Sequence, residues 1–297
     1  MVQLNDSIRV VRLGILESRP IVQLMCVLRF VAGTMWALQS DESGCSAGWP
    51  AYIASALAWS CASVSIYLIN GAVDGPGDKL NGVGRPVGRG DLKQDDARQF
   101  ATATAVLAIA IALLSGSYSM PLLVGGYLLI GYAYSVPPVQ LNRHLAGASI
   151  IVFCGGMLTY LAGAMAVGAA ISAELLVFAT VMSAWMGAVG AIVKDFSDFA
   201  GDSAVRRKTL VCMLGERTVR RIIATSAIGL TCATGLATLR LPALAVIFPP
   251  LFIGALAVAY TTLTTRYADP RAVSRRPYHA FMGTQLTVHA AVPVALI

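Results

Sequence analysis

Asn70, Asp74 and Asp78 stand four residues apart in the segment NGAVDGPGD, and Lys194, Asp198 and Asp202 repeat that spacing in KDFSDFAGD, each 124 positions after its counterpart. Spacing by four places side chains on one face of a helix. Carboxylate and amide oxygens are hard donors, so two such faces can hold divalent metal ions. Each cluster ends a long apolar stretch and is followed by bases, Arg85 and Arg89 in one case and Arg206 to Lys208 in the other. Acidic groups in matched positions at the edge of apolar segments are costly unless they serve a ligand. Two facing metal sites are therefore expected; two solvated acidic loops are the bland alternative.

The elements that must position these residues follow from composition. The chain has 297 residues, 57% of them hydrophobic and only 12% charged, with mean hydropathy +0.70. That excludes an ordinary soluble globular protein and implies a polytopic membrane protein. Charged and Pro/Gly-rich breaks divide the apolar sequence into about nine spans of roughly 17 to 25 residues, enough to cross a bilayer as helices. They lie near 20–39, 50–70, 99–116, 119–136, 147–170, 173–193, 220–239, 241–264 and 279–296. With nine crossings, 20 of the 22 basic residues fall on one side, leaving Arg240 opposite and Arg29 inside the first span. The positive-inside rule makes the basic side cytoplasmic and turns the C-terminus outward. Both acidic clusters then emerge on the cytoplasmic face. The expected fold is all-α, a nine-helix bundle of two pseudo-repeats forming a single membrane domain over 1–297. Residues 1–18 are expected as an interfacial segment on the cytoplasmic leaflet, with no removable signal peptide. The arginines lie in short loops rather than on one basic face, so the partner they imply is the lipid bilayer and not nucleic acid. Six cysteines (Cys26, Cys45, Cys61, Cys154, Cys212 and Cys232) lack metal-ligand spacing and read as small packing residues.

These residues together resemble the UbiA superfamily of intramembrane prenyltransferases. The first cluster, extended by Asn81, Arg85 and Pro86, resembles its NxxxDxxxD motif. Asp195, Asp198 and Asp202, trailed by Lys208, Thr209 and Leu210, resemble its DxxDxxxD motif. A third match is GYAYSVPPVQLNRH, where Tyr134, Ser135, Pro137, Pro138 and Leu141 are similar to the YSxPPxRLKR loop, and Arg19–Pro20 also fits. The resemblance runs from about Arg19 onward. Departures are Gln140 and Asn142, where many members carry Arg and Lys, and Gly71, where Asp is commoner. One cationic contact to the pyrophosphate or acceptor is therefore either missing or replaced by Arg143.

The resemblance implies an enzyme that ionises an allylic prenyl diphosphate and transfers the prenyl group to an aromatic or other lipophilic acceptor. Pyrophosphate leaves with several negative charges that must be neutralised as the bond breaks. Two Mg²⁺ ions held by Asn70, Asp74, Asp78, Asp198 and Asp202, with Asp195 as a further ligand or support, would do so. Lys194, Lys79, Arg85, Arg143 and Arg207 are candidate pyrophosphate cations. Arg29, a charge inside a span, is expected to face the bundle interior and pair with an acidic residue or the anionic ligand. Asp74, Asp78, Asp198, Asp202 and Tyr134 are the catalytic candidates. Tyr67, Tyr132, Tyr134, Tyr160 and Trp185 offer ring faces to a prenyl cation, and Gly155, Gly156, Gly187 and Gly190 room for it. His144 is the one histidine placed to act as a base. A terpene cyclase of the same superfamily and a transporter with a paired acidic site are the alternatives.

Overall fold

Proline and capping side chains set where the long helices begin. The computed structural model describes residues 2–40, 47–144, 146–204 and 206–296, and every regular element in them is helical. Cys45 therefore lies outside the described residues. After α1 (Val2–Glu17), α2 (Pro20–Ser40) starts on its proline and α3 (Trp49–Leu80) carries Pro50 in its first turn, where the fixed φ of proline suits the helix. A short α4 (Pro86–Arg89) leads to α5 (Gln94–Leu114), which carries Asp95 and Asp96 where the helix dipole favours acids. α6 (Ser119–Ser135), a 3-10 turn at Leu141–Arg143 and α7 (Gly147–Val167) complete the first half. α8 (Ala173–Ala184) is capped by Ser172, whose Oγ accepts the Leu175 N–H. A π-helical turn, Trp185–Gly190, joins it to α9 (Ala191–Ser197), followed by α10 (Phe199–Ala204), α11 (Leu210–Leu214) and α12 (Glu216–Thr238). A 3-10 turn at Pro242–Ile247, α13 (Phe248–Thr264), α14 (Arg271–Ser274) and α15 (Arg276–Leu296) end the chain.

Each expected span falls on helix. Seven of the segments among the described residues are long and apolar enough to cross a bilayer, while α6, with 17 residues, and α15 stand outside that set. Large apolar side chains such as Val106, Leu113, Leu122 and Ile253 point outward, as expected of a surface facing lipid rather than water.

Two large apolar cores, with two smaller clusters beside them, hold the bundle. One gathers Trp59, Met120 and Val124 from α3 and α6 around Phe30; the other gathers Phe178, Trp185, Ile223 and Leu251 from the second half around Trp36. They meet at α2 and α7, which pack closely because small residues face each other: a Cβ on Gly33 would strike the Tyr160 carbonyl and one on Gly163 the Phe30 carbonyl. α15 packs on both α13 and α2, which brings the end of the chain back to its start.

The end of α1 is tied to the bundle, while Ile8, Val11, Ile15 and Leu16 are exposed along it. Glu17 and Ser18 are buried. Glu17 Oε2 accepts the Val87 N–H at 2.8 Å, capping α4 from a distance because that helix's own cap residue, Arg85, offers no acceptor.

Candidate active site

α3 continues beyond the expected end near residue 70 and carries the whole first cluster on one helical face. Asn70 Nδ2 donates to Asp74 Oδ2 at 2.9 Å and to Ser135 Oγ at 3.1 Å, tying α3 to the third motif. Arg85 Nε donates to Asp78 Oδ2 at 2.6 Å, and Arg85 also lies 3.4 Å from Glu17. Burial and then the nearby Arg19 lower the Arg85 pKa, against the pull of Asp78 and Glu17.

The second cluster departs from one continuous helical face. α9 ends at Ser197, and Asp198 takes φ −106°, so Asp202 belongs to the next helix, α10. The break has a local cause: Ser197 Oγ donates to the Lys194 carbonyl at 2.8 Å, and the Asp198 N–H turns to the Asp195 carbonyl at 3.2 Å. Lys194 still reaches Asp195 at 3.5 Å and Asp198 at 3.4 Å. Arg271 of α14 donates to Asp198 Oδ1 at 3.1 Å. Burial pushes the Asp198 carboxyl up, but Lys194 and Arg271 outweigh it and hold its pKa below the usual range. For Asp202, burial prevails over Lys194 and Arg207, so its pKa is raised.

The two clusters meet at Arg207. One guanidinium pairs with Asp74 from α3 and, at 3.3 Å, with Asp202 from α10. Burial acts to lower the Arg207 pKa, yet Asp74 and Asp202 overcome it and raise it. A second link joins the Gly201 N–H to Asn81 Oδ1 at 2.7 Å. A Cβ on Gly201 would collide with that same amide, so glycine is what lets α10 approach. Asn142 Nδ2 lies 3.5 Å from Asp74 Oδ1 and brings in the third motif.

Among the described residues, no three carboxylate, imidazole or thiol groups stand close enough to hold a metal unaided. The first cluster instead offers Asp74 and Asp78 with the amides of Asn70 and Asn142 beside Asp74, and the second offers Asp195, Asp198 and Asp202, hard oxygens of the kind Mg²⁺ uses when phosphate oxygens complete its shell. Asp202 Oδ2 and Asn142 Oδ1 are buried without a hydrogen-bond partner, two hard oxygens free to ligate. The residues thus fit a divalent ion together with a phosphate.

A cavity of about 180 Å³ opens beside this junction. Its polar end has Asn70, Asp74, Tyr134, Lys194, Asp195 and Arg19; its apolar walls include Met25, Ile66, Tyr67, Tyr127, Met186 and Phe281. Gly155, Gly156 and Gly190 also line it. Asp78, Asp198, Asp202, Arg85 and Arg207 stand behind the polar end rather than on the cavity wall. Lys79 and Arg143 are exposed and do not line it, and neither does His144, also exposed. Tyr132, Tyr160 and Trp185 serve packing: Tyr132 meets Ser65 at 3.2 Å, Tyr160 meets His289 at 2.7 Å, and Trp185 stacks on Phe281. Arg29 does face the interior and lines the cavity, but its partners are the amide of Gln285, at 2.8 Å, and the Tyr160 hydroxyl rather than an acid.

Sequence reasoning did not place Arg19, Arg271 or Asn142 at the site. Arg19 is aimed into the cavity by a left-handed backbone, φ 60°, between α1 and α2, a strained conformation for a residue with a Cβ. Its one signal in the sequence is the Arg-Pro pair that opens α2.

Comparison with known proteins bears on the same geometry. A homogentisate phytyltransferase of Synechocystis is 29% identical over 174 residues, covering 55% of this chain and 56% of that protein. A digeranylgeranylglyceryl phosphate synthase of Natronomonas pharaonis is 30% identical over 151 residues, 50% of this chain and 52% of the other. The chain thus spans about half the length of these curated relatives. The structure of a UbiA homolog from Archaeoglobus fulgidus bound to GPP and Mg²⁺ superposes with TM-score 0.72 over 96% of this chain and 99% of that one, at 17% identity, which shows a shared fold. The model of the UbiA prenyltransferase family matches residues 30–284. With its apolar helices, its two acidic clusters and most of its length inside that match, this multi-pass membrane protein belongs to the UbiA prenyltransferase family.

Proposed function

We propose that the protein is a Mg²⁺-dependent prenyltransferase that ionises an allylic prenyl diphosphate and passes the prenyl group to an aromatic or other lipophilic acceptor. The observation that carries this reading is the sharing of Arg207 between Asp74 and Asp202 at the polar end of a cavity whose far walls are apolar. GPP and Mg²⁺, bound in the structure of the Archaeoglobus homolog, support the same ligand class.

Asn70, Asp74, Asp195, Asp198 and Asp202 would hold two ions between the clusters, with Asp78, braced by Arg85, completing the first acidic face. When bound, the divalent ions neutralise charge developing on the departing pyrophosphate and fix its oxygens. Lys194 and Arg19, already on the cavity wall, bind the diphosphate as cations. Arg207 is held by carboxylates that are themselves proposed ligands, so their engagement frees its N–H groups for phosphate. Lys79 and Arg143, exposed in the motif loops, attract the diphosphate to the mouth. Met25, Ile66 and Met186 keep water from the prenyl carbon, and the rings of Tyr67 and Tyr134 face it. Residues 1–297 form one membrane domain with nine crossings in this reading, its acidic clusters on the cytoplasmic side.

The test is incubation of purified protein and Mg²⁺ with C10, C15 and C20 allylic diphosphates, with and without lipid extract. Pyrophosphate release and a prenylated product formed only with extract are expected. No release from any of the three would overturn the reading, and a cyclised hydrocarbon without extract would assign a cyclase instead.

A further inference from the structure

The last residue of α1 reaches into the acidic end of α3. Glu17 is fully buried, and a Cβ on Gly71 would overlap its Oε1 and stand 2.7 Å from its carboxyl carbon. Gly71 follows Asn70, and Asp78 lies two helical turns further along the same face of α3. The Glu17 carboxylate thus fills the space that a side chain at position 71 would take. It is fixed there from its own side as well. Val10 and Leu13 of α1 pack against Ala72, Val87, Leu92 and Ala97, and Oε2 accepts the Val87 N–H at 2.8 Å. A buried carboxylate is costly unless it answers a charge, and the charge it answers is Arg85, whose Nη1 lies 3.4 Å from Oε1.

Arg85 has Asp78 on its other side, with Nε donating to Asp78 Oδ2 at 2.6 Å. One guanidinium is therefore shared by two carboxylates, and Glu17, the one further back, does not line the cavity. Charge decides what the sharing does. With both acids ionised, the three groups together are net negative, so Asp78 is held in orientation and still has charge to offer a metal ion. Without the Glu17 charge the Arg85–Asp78 pair is neutral, and Arg19 also stands within electrostatic reach of Asp78. A divalent ion would then compete with two cations for one carboxylate.

Resting on the prenyltransfer reading, we infer that Glu17 is a positioning residue of the first acidic cluster, which acts through Arg85 to keep Asp78 oriented and available to a divalent ion. Glu17 precedes the stretch that the family model matches, residues 30–284, so the match itself assigns it no role. The end of α1 is in this account part of what builds the site, and not only an anchor at the membrane surface.

The experiment measures Mn²⁺ retained by the detergent-solubilised full chain in equilibrium dialysis against a fixed concentration of inorganic pyrophosphate. Glu17→Gln keeps the length of the side chain and an acceptor for the Val87 N–H but removes the charge. It is expected to weaken Mn²⁺ binding about tenfold or more, the loss usual when a group that holds a metal ligand is changed. The Mg²⁺ concentration giving half-maximal pyrophosphate release should rise in step. A second comparison guards against a misfolded first variant. Gly71→Asp alone should weaken binding, because its Cβ strikes Glu17 and a second acid is forced beside the first. In Glu17→Ala, which vacates the space, the same Gly71→Asp change should instead recover part of the Mn²⁺ affinity, since it restores a carboxylate from a different backbone position. Wild-type Mn²⁺ affinity in Glu17→Gln overturns the inference, even where its thermal midpoint falls, since that is the behaviour of a purely structural group. A Glu17→Ala, Gly71→Asp protein that binds no better than Glu17→Ala also overturns it. Absence of pyrophosphate release from every allylic diphosphate in the wild type would instead defeat the prenyltransfer reading, while Mn²⁺ binding would still decide the role of Glu17.

Discussion

Arg207 clasps Asp74 and Asp202 because two buried carboxylates from different helices would otherwise face each other without a counter-charge. Replacing it by Met should lower pyrophosphate release by about 10²-fold, and Lys should restore only part, since an ammonium lacks the two-pronged geometry. Wild-type release in the Met variant would remove Arg207 from the site. The unpartnered Asp202 Oδ2 and Asn142 Oδ1 lead to a second expectation. Excess EDTA should stop pyrophosphate release and Mg²⁺ or Mn²⁺ should restore it; full turnover in chelator would contradict the metal reading. The carboxylates, Lys194 and Arg207 were legible in the sequence because residue type and spacing name them. Arg19 and Arg271 were not, for a tertiary reason. One is aimed by a left-handed turn, and the other reaches Asp198 from a helix beginning 73 positions later.

At the scale of elements, the second cluster works through a broken helix, and Asn81 with Gly201 sets how the pieces dock. Gly201→Ala should therefore lose activity more severely than Asn81→Ala, because the added methyl strikes the amide, whereas removal of the amide leaves space. Combining the two changes should recover part of the loss. Turnover of the three variants, read beside their levels in the membrane, checks this, and an unaffected Gly201→Ala protein would count against the docking role. The buried end of α1 makes a stability prediction. Glu17→Ala leaves the Val87 N–H and one side of Arg85 unpaired, a change that costs about 3 to 5 kcal/mol when a buried pair is broken. Thermal unfolding in detergent should shift down by several degrees, and an unchanged midpoint would mean that α1 is only laid on the bundle. Hydropathy located the long helices to within a few residues. It did not reveal the continuation of α3 to Leu80 or the break at Asp198, since both depend on local hydrogen bonds and on packing against other helices.

For the whole molecule, the proposed topology places both clusters on one side of the membrane, with 20 of the 22 basic residues. Cysteines placed at the exposed positions Gln94 and Ser203 should react with an impermeant thiol reagent only when the cytoplasmic side is opened, while one at the exposed Tyr118 should react in intact cells. Labelling of Gln94 and Ser203 from opposite sides would defeat this topology. Hydropathy and motif order made the all-helical membrane fold readable from the sequence. The cavity was not, because its walls come from six separated stretches whose meeting depends on close helix contacts such as those at Gly33, Gly163 and Gly190. The central claim, that clusters 124 residues apart make one site, is tested most directly by a double-mutant cycle on Asp74 and Asp202. Pyrophosphate release from an allylic diphosphate is compared in wild type, Asp74→Asn, Asp202→Asn and the double variant. Members of one catalytic unit are strongly non-additive, so each single change should cost about 10²-fold or more and the double variant little beyond that. Two modest losses that multiply in the double variant would mean that the clusters act independently, and the single-site account would be wrong.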